Sequence, residues 1–238
     1  MIRGVSFGPF PGTGRLSERA WQMHYHAVLF DLDGTLLDTL ADLADSMNAA
    51  LEGLGFPRHP EEAYRYFVGD GVKMLAARAL PDRHRSEETI GRAVEAVRAQ
   101  YARRWDCKTR PYEGIPELLS ALSRRGVTAA VLSNKPDDFT KLCVAKLLPD
   151  WQFAAVQGVS ETVPPKPDPT GAEHVTRGLG IPAGEFLYLG DTNTDMKTAV
   201  AAGMFPVGAA WGFRTADELR ANGARKLIDH PMELLELL

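Results

Sequence analysis

Four apolar residues, Ala27-Val28-Leu29-Phe30, run straight into an acidic turn, Asp31-Leu32-Asp33-Gly34-Thr35, and no other stretch narrows the fold as much. A short continuous apolar run bounded by turn chemistry reads as a strand buried on both faces, as in parallel sheets covered by helices. The two carboxylates then sit where the strand stops, at the end where open α/β sheets bind ligands. Side chains alternate along an extended chain, so Asp31 and Asp33 lie on one side of it. Gly34 permits a sharp turn, and Thr35 places a hydroxyl beside the acids, where it is expected to meet substrate. Two carboxylates this close repel unless a positive group lies between them. A hard divalent cation answers that need, and magnesium commonly takes one or two carboxylates together with substrate phosphate. Alone, Asp-x-Asp-Gly is also an ordinary polar turn, so the remainder of the chain decides.

Farther along, residues 127–132, 153–156, 186–189, 205–210 and 226–228 read as strands, separated by helices at 115–125, 136–147, 169–179 and 196–202. This alternation predicts an α/β fold, a doubly wound, mostly parallel, Rossmann-like sheet. It is interrupted after the first strand. Residues 40–51, 72–80 and 87–105 carry helical periodicity, and nothing between Asp38 and Arg110 reads as a strand. The expected organisation is an α/β core (23–38 and 111–238) with an inserted small helical cap domain (39–110) and a loose leader (1–22) containing Gly4, Gly8, Pro9 and Pro11. Residues 37–39 and 110–114 would be the linkers, with Gly114 a hinge. Asp38 and Thr39 are placed to cap the first helix of the insert, and residues 232–238 read as a docking helix.

A formal net charge of -4 with no basic cluster argues against nucleic acid as a partner. Arg83-His84-Arg85 and Arg103-Arg104 read as solvated helix faces. Cys107 and Cys143, without Cys-x-x-Cys spacing, suit a reducing compartment. No stretch approaches the roughly 20 apolar residues of a membrane span, and the leader lacks the apolar segment of a secretory signal. A cytoplasmic protein, monomer or homodimer, is expected. His24 and His26 precede the first strand, at its wrong end for catalysis, and Trp211 reads as core or rim packing.

Four polar groups follow predicted strands at their carboxyl ends: Asp31 with Asp33, Ser133 with Asn134, Lys166, and Asp191 with Asp195. In a parallel sheet these ends share one edge, so the groups can meet. A phosphoryl group needs a cation and hydrogen-bond donors. Ser133, Asn134 and Lys166 offer donors; Asp31, Asp191 and a backbone carbonyl near Asp33 offer oxygens to a metal. An aspartate can attack phosphorus, and a second acid can serve the leaving oxygen and then water.

These elements, Asp31-Leu32-Asp33-Gly34-Thr35-Leu36-Leu37-Asp38-Thr39, Ser133-Asn134, Lys166-Pro167 and Gly190-Asp191 through Asp195, resemble in type and order the haloacid dehalogenase superfamily of phosphatases. The resemblance implies Asp31 as nucleophile and Asp33 as general acid/base. It implies that Ser133 and Lys166 hold the phosphoryl group while Asn134 helps to orient it. Asp31, Asp33 and Asp191 would form the Mg2+ site, supported by Asp195. Dehalogenases of the superfamily attack carbon without magnesium and lack the second acid; Asp33 therefore favours phosphoryl chemistry. The insert lies where the family places its cap. Within it, residues 68–75 look like a segment of phosphoglycolate phosphatases: Gly69 and Gly71 would let backbone approach a small ligand, and Lys73 would bind a substrate carboxylate. The competing view is a plain turn with Lys73 in water. The expected partner is a small phosphorylated metabolite, 2-phosphoglycolate first. A phosphomutase, a nucleotide or pyrophosphate phosphatase, and a non-enzymatic metabolite-binding module are the rivals.

Overall fold

The computed structural model describes residues 25–238; the leader, Met23 and His24 lie outside the described residues. The elements are, in chain order, β1 (Ala27–Phe30), β2 (Leu37–Asp38), α1 (Leu40–Gly53), α2 (Tyr64–Phe67), α3 (Val72–Ala79), α4 (Glu87–Tyr101) and β3 (Arg110–Pro111). There follow α5 (Ile115–Arg125), β4 (Thr128–Pro136), α6 (Asp137–Leu147), β5 (Ala155–Val159) and α7 (Thr170–Leu179). The chain closes with β6 (Phe186–Gly190), α8 (Asn193–Ala201), β7 (Phe205–Ala209), α9 (Ala216–Ala221) and β8 (Lys226–Ile228).

The six long-range strands form one sheet in the order β5-β4-β1-β6-β7-β8, and every pairing is parallel. β1 lies inside the sheet, flanked by β4 and β6, which is why its sequence is apolar throughout. Its alternating side chains feed two cores. Val28 and Phe30 belong to one apolar cluster together with Ile115, Leu118 and Leu122 of α5, whereas Ala27 and Leu29 belong to a second with Ala172 and Val175 of α7. Each such large side chain, fully buried, contributes about 1.5–3 kcal/mol. All the strand ends that carry polar residues consequently point to one edge.

Between β2 and β3 the chain is helical, as the periodicity predicts. The two linkers do more than connect: they pair antiparallel, Leu37 opposite Pro111 and Asp38 opposite Arg110. Asp42, 1% exposed, ties the exit of the insert to its entrance by accepting from Lys108 N–H, Thr109 N–H and the Thr109 hydroxyl, the last at 2.8 Å. Thr39 occupies the N-cap position of α1, yet its backbone is helical and its hydroxyl makes no capping bond. The capping expectation is therefore corrected there.

Several boundaries also differ from the sequence reading, α4 ending at Tyr101 rather than at 105 among them. β4 runs through Pro136 rather than stopping at 132, with a register shift against β5 between Leu132 and Pro136. β5 begins at Ala155, because Trp151, whose indole donates to Ser120 Oγ at 3.0 Å, and Phe153 belong to the preceding loop. α8 starts at Asn193 because Thr192 and Asp195 form a capping box ahead of the apolar run. The final segment, Pro231–Leu237, is a 3-10 helix packed on α5 with Leu234 buried.

Candidate active site

Asp31 follows β1 directly, and its backbone N–H still donates to Leu189 O at 2.9 Å, so the strand pairing fixes its direction. The side chain is buried. Oδ1 accepts from Leu32 N–H at 2.7 Å and lies 2.8 Å from Lys166 Nζ. Oδ2 accepts nothing from the described residues, and Asp31 lines a cavity at the sheet edge. Gly34 has φ of 89°, and a Cβ there would also strike the Asp191 carboxylate and come within 2.8 Å of the Phe213 ring. A Cβ at Gly212 would collide with Asp191 from the opposite side. Glycine is thus demanded by the acid it surrounds.

Asp191 follows β6. Its Oδ1 accepts from the Thr35 hydroxyl and its Oδ2 from Phe213 N–H, both at 2.8 Å. Asp195 is the third residue of α8; Oδ2 accepts from Thr192 N–H at 3.0 Å and Thr192 Oγ1 at 2.6 Å. Its Oδ1 accepts from Lys166 Nζ at 2.6 Å and the Tyr188 hydroxyl at 3.2 Å. Lys166 completes its bonding on Leu132 O at 3.1 Å. Its backbone is clamped by Asn134, whose Oδ1 accepts from Lys166 N–H at 2.7 Å and whose Nδ2 donates to Lys166 O at 3.1 Å.

Asp31, Asp191 and Asp195 each place a carboxylate oxygen within 4.8 Å of the others. One ammonium faces three buried carboxylates. Burial, then Asp195 and Asp191, hold the Asp31 carboxyl well above its usual range despite Lys166. Burial and Asp195 push Asp191 up to about 7. Burial works against the Lys166 ammonium, but Asp195 and Asp31 keep it well above the ordinary lysine range. Excess negative charge and a spare Asp31 oxygen fit a divalent cation, with Asp31 and Asp191 as its carboxylates. Asp195, each of whose oxygens already takes two donors where each Asp191 oxygen takes one, is suited to support from behind.

The cavity, about 290 Å³, lies between the sheet edge and the helical insert. The core supplies Asp31, Asp33, Ser133, Asn134 and Lys135; the insert supplies an apolar lining that includes Val68, Val72, Leu75 and Val97, with Arg98 and Tyr101. Gly69, with φ of 121°, and Gly71 both line it. Their lack of side chains also lets the insert loop approach the core: Asn134 Nδ2 donates to Gly69 O at 3.0 Å. Beside them Thr194 donates to Asp70 at 2.7 Å, and Arg214 Nη2 to Val68 O at 2.8 Å. The insert is docked over the sheet edge.

Two expectations are corrected. Thr35 does not line the cavity; it is fully buried and its hydroxyl is bound to Asp191. Lys73 does not line it either: its side chain is 64% exposed and pairs with Glu87 at 2.8 Å. Lys135 and Arg98 take the basic positions instead. Lys135 had one signal, its place directly after Ser133-Asn134; Arg98 had none, because its helix face depends on how the insert docks.

The family described as haloacid dehalogenase-like hydrolase matches the chain over residues 28–209. A phosphoglycolate phosphatase of Pseudomonas savastanoi pv. phaseolicola is 32% identical over 216 residues, covering 87% of this chain and 78% of that protein. An N-acetylmuramic acid 6-phosphate phosphatase of Pseudomonas aeruginosa is 32% identical over 222 residues, covering 91% and 96%. A crystal structure from Lactobacillus delbrueckii subsp. bulgaricus superposes with a TM-score of 0.85 at 30% identity, covering 90% of this chain and 98% of that one. No helix among the described residues is long and apolar enough to cross a membrane. The chain belongs to the haloacid dehalogenase-like hydrolases, and within them it is a phosphoric monoester hydrolase.

Proposed function

We propose that this chain is a Mg2+-dependent phosphatase for a small carboxylate-bearing phosphomonoester, working through a phosphorylated Asp31, with 2-phosphoglycolate the first candidate. The observation that carries the reading is Asp31, which is held by Lys166 through Oδ1, keeps an Oδ2 that accepts from no described donor, and lines the cavity that Asp33 and Ser133 also line. Asp31 and Asp191, with the backbone near Asp33, would hold the ion; when bound it neutralises charge on the phosphoryl group. Lys166, beside Asp31, supplies positive charge to the phosphoryl group, the Ser133 hydroxyl supplies a donor, and Asn134 fixes Lys166.

Asp31 Oδ2 attacks phosphorus and the P–O ester bond breaks while Asp33 gives its proton to the leaving oxygen, releasing the alcohol. Asp33, now a carboxylate, takes a proton from water as that water attacks the phosphoryl group. Phosphate leaves, Asp31 is regenerated, and Asp33 holds a proton again. The helical insert, residues 39–110, acts as a cap on the core of residues 23–38 and 111–238, excluding water from the site on closure.

The volume and apolar lining of the cavity favour a second candidate, a larger sugar acid phosphate such as the substrate named for the Pseudomonas aeruginosa relative. Both candidates carry a carboxylate. Arg98, which pairs with no carboxylate among the described residues, is the group suited to it. Phosphate release from a panel of esters with Mg2+ tests the reading, with Asp31→Asn as control. Turnover is expected to fall by roughly 10⁴-fold or more in that variant with the fold intact; undiminished turnover would remove the nucleophile assignment.

A further inference from the structure

Lys135 and Tyr101 form a polar pair in the cavity that neither the acidic cluster nor the phosphoryl-binding groups employ. Lys135 stands near the end of β4 and is 8% exposed. Its Nζ lies 2.6 Å from Asp33 Oδ1 and donates to the Tyr101 hydroxyl at 3.0 Å. The same ammonium sits 5.1 Å from the centroid of the Tyr101 ring. Tyr101 is the last residue of α4, in the insert, so one buried ammonium joins a core carboxylate to the roof above it.

A desolvated ammonium held by a carboxylate, a hydroxyl and a ring face has little freedom to move. Asp33 is fixed in turn through Oδ1, while its Oδ2 meets no described donor. We propose that Lys135, itself held by Tyr101, is a positioning residue that aims Asp33 at the leaving-group oxygen. Docking of the insert and protonation of the leaving group are thereby linked through one side chain. The inference rests on the assignment of Asp33 as general acid in the proposed function.

Leaving-group dependence separates this role from binding and from folding. An alkyl phosphate must have its leaving oxygen protonated, whereas p-nitrophenolate departs as a stable anion. General acid catalysis is worth about 10²–10⁴-fold. The quantity to measure is kcat/KM, which reports steps only through loss of the alcohol, for 2-phosphoglycolate (or the best alkyl ester found) and for p-nitrophenyl phosphate. In Lys135→Met the alkyl ester is expected to lose about 100-fold and the aryl ester less than about 5-fold. Tyr101→Phe, which keeps the ring, should show the same bias at about 3–10-fold. Equal losses of kcat/KM on both esters would overturn the proposal. Asp33→Asn distinguishes the two levels: no leaving-group bias there defeats the general-acid reading, whereas bias there without bias in Lys135→Met defeats only the role of Lys135. If circular dichroism shows Lys135→Met to be unfolded, Tyr101→Phe decides alone.

Discussion

The floor and the roof of the cavity are built by different rules. On the floor, functional side chains stand on the segments that leave the carboxyl ends of parallel strands and are tied down by neighbours: Asp191 by Thr35 and Phe213, Asp195 by Thr192 and Lys166, Lys166 by Asn134. The roof is mostly apolar, and a short loop bearing Gly69 and Gly71 seats it on the core. The contrast divides the labour. Reaction chemistry depends on geometry the sheet fixes, whereas substrate choice depends on a surface that can change without disturbing it.

The largest effect expected belongs to the floor. Lys166→Met leaves three buried carboxylates without their cation. It should lower kcat/KM by about 10³-fold or more and destabilise the metal-free protein by about 3–5 kcal/mol. Urea denaturation and steady-state kinetics check both; near-normal activity would show that the ammonium is dispensable.

Next comes the charge itself. Burial and Asp195 raise Asp191 from the ordinary 3.8 to about 7, and Asp31 moves in the same direction. Between those values the unfolded chain releases a proton that the folded protein keeps, so stability is present at the low end and lost as pH climbs through about 7. In chelator, Tm is expected to fall from pH 5 to pH 8, and Mg2+ added at pH 8 to restore it. A chelated protein more stable at pH 8 would contradict this account of the acidic cluster.

The smallest effects belong to the roof. Arg98→Ala should raise KM for carboxylate-bearing esters by about 10-fold with kcat nearly unchanged, and leave esters without a carboxylate alone. Lys73→Ala, which removes only an exposed pair with Glu87, should change either constant by less than about twofold. A reversal of these two results would return the carboxylate role to Lys73.

The same division governs what could be read from sequence. β1 and β6 were legible because buried parallel strands are apolar runs, and the acids after them inherit their position from the strand. Asp195 was identifiable as a neighbour of Asp191, yet its capping role in α8 became evident only from Thr192 beside it. The spacing sets Thr35 beside the acids, but spacing cannot tell a hydroxyl facing a cavity from one bound to Asp191. Lys135 and Arg98 were missed for a related reason. Which face of β4 or α4 meets the cavity follows from a register shift and from docking of the insert, and neither leaves a periodic trace. Local rules reached the floor; the roof depends on contacts distant in sequence.

The most direct test of the central claim is to trap the phosphorylated enzyme. Rapid acid quenching during turnover with Mg2+, followed by peptide mass spectrometry, should find one phosphoryl group on Asp31 and none in Asp31→Asn. Phosphate release at an undiminished rate with no phosphoryl group on Asp31, or with the group on another residue, would contradict the account.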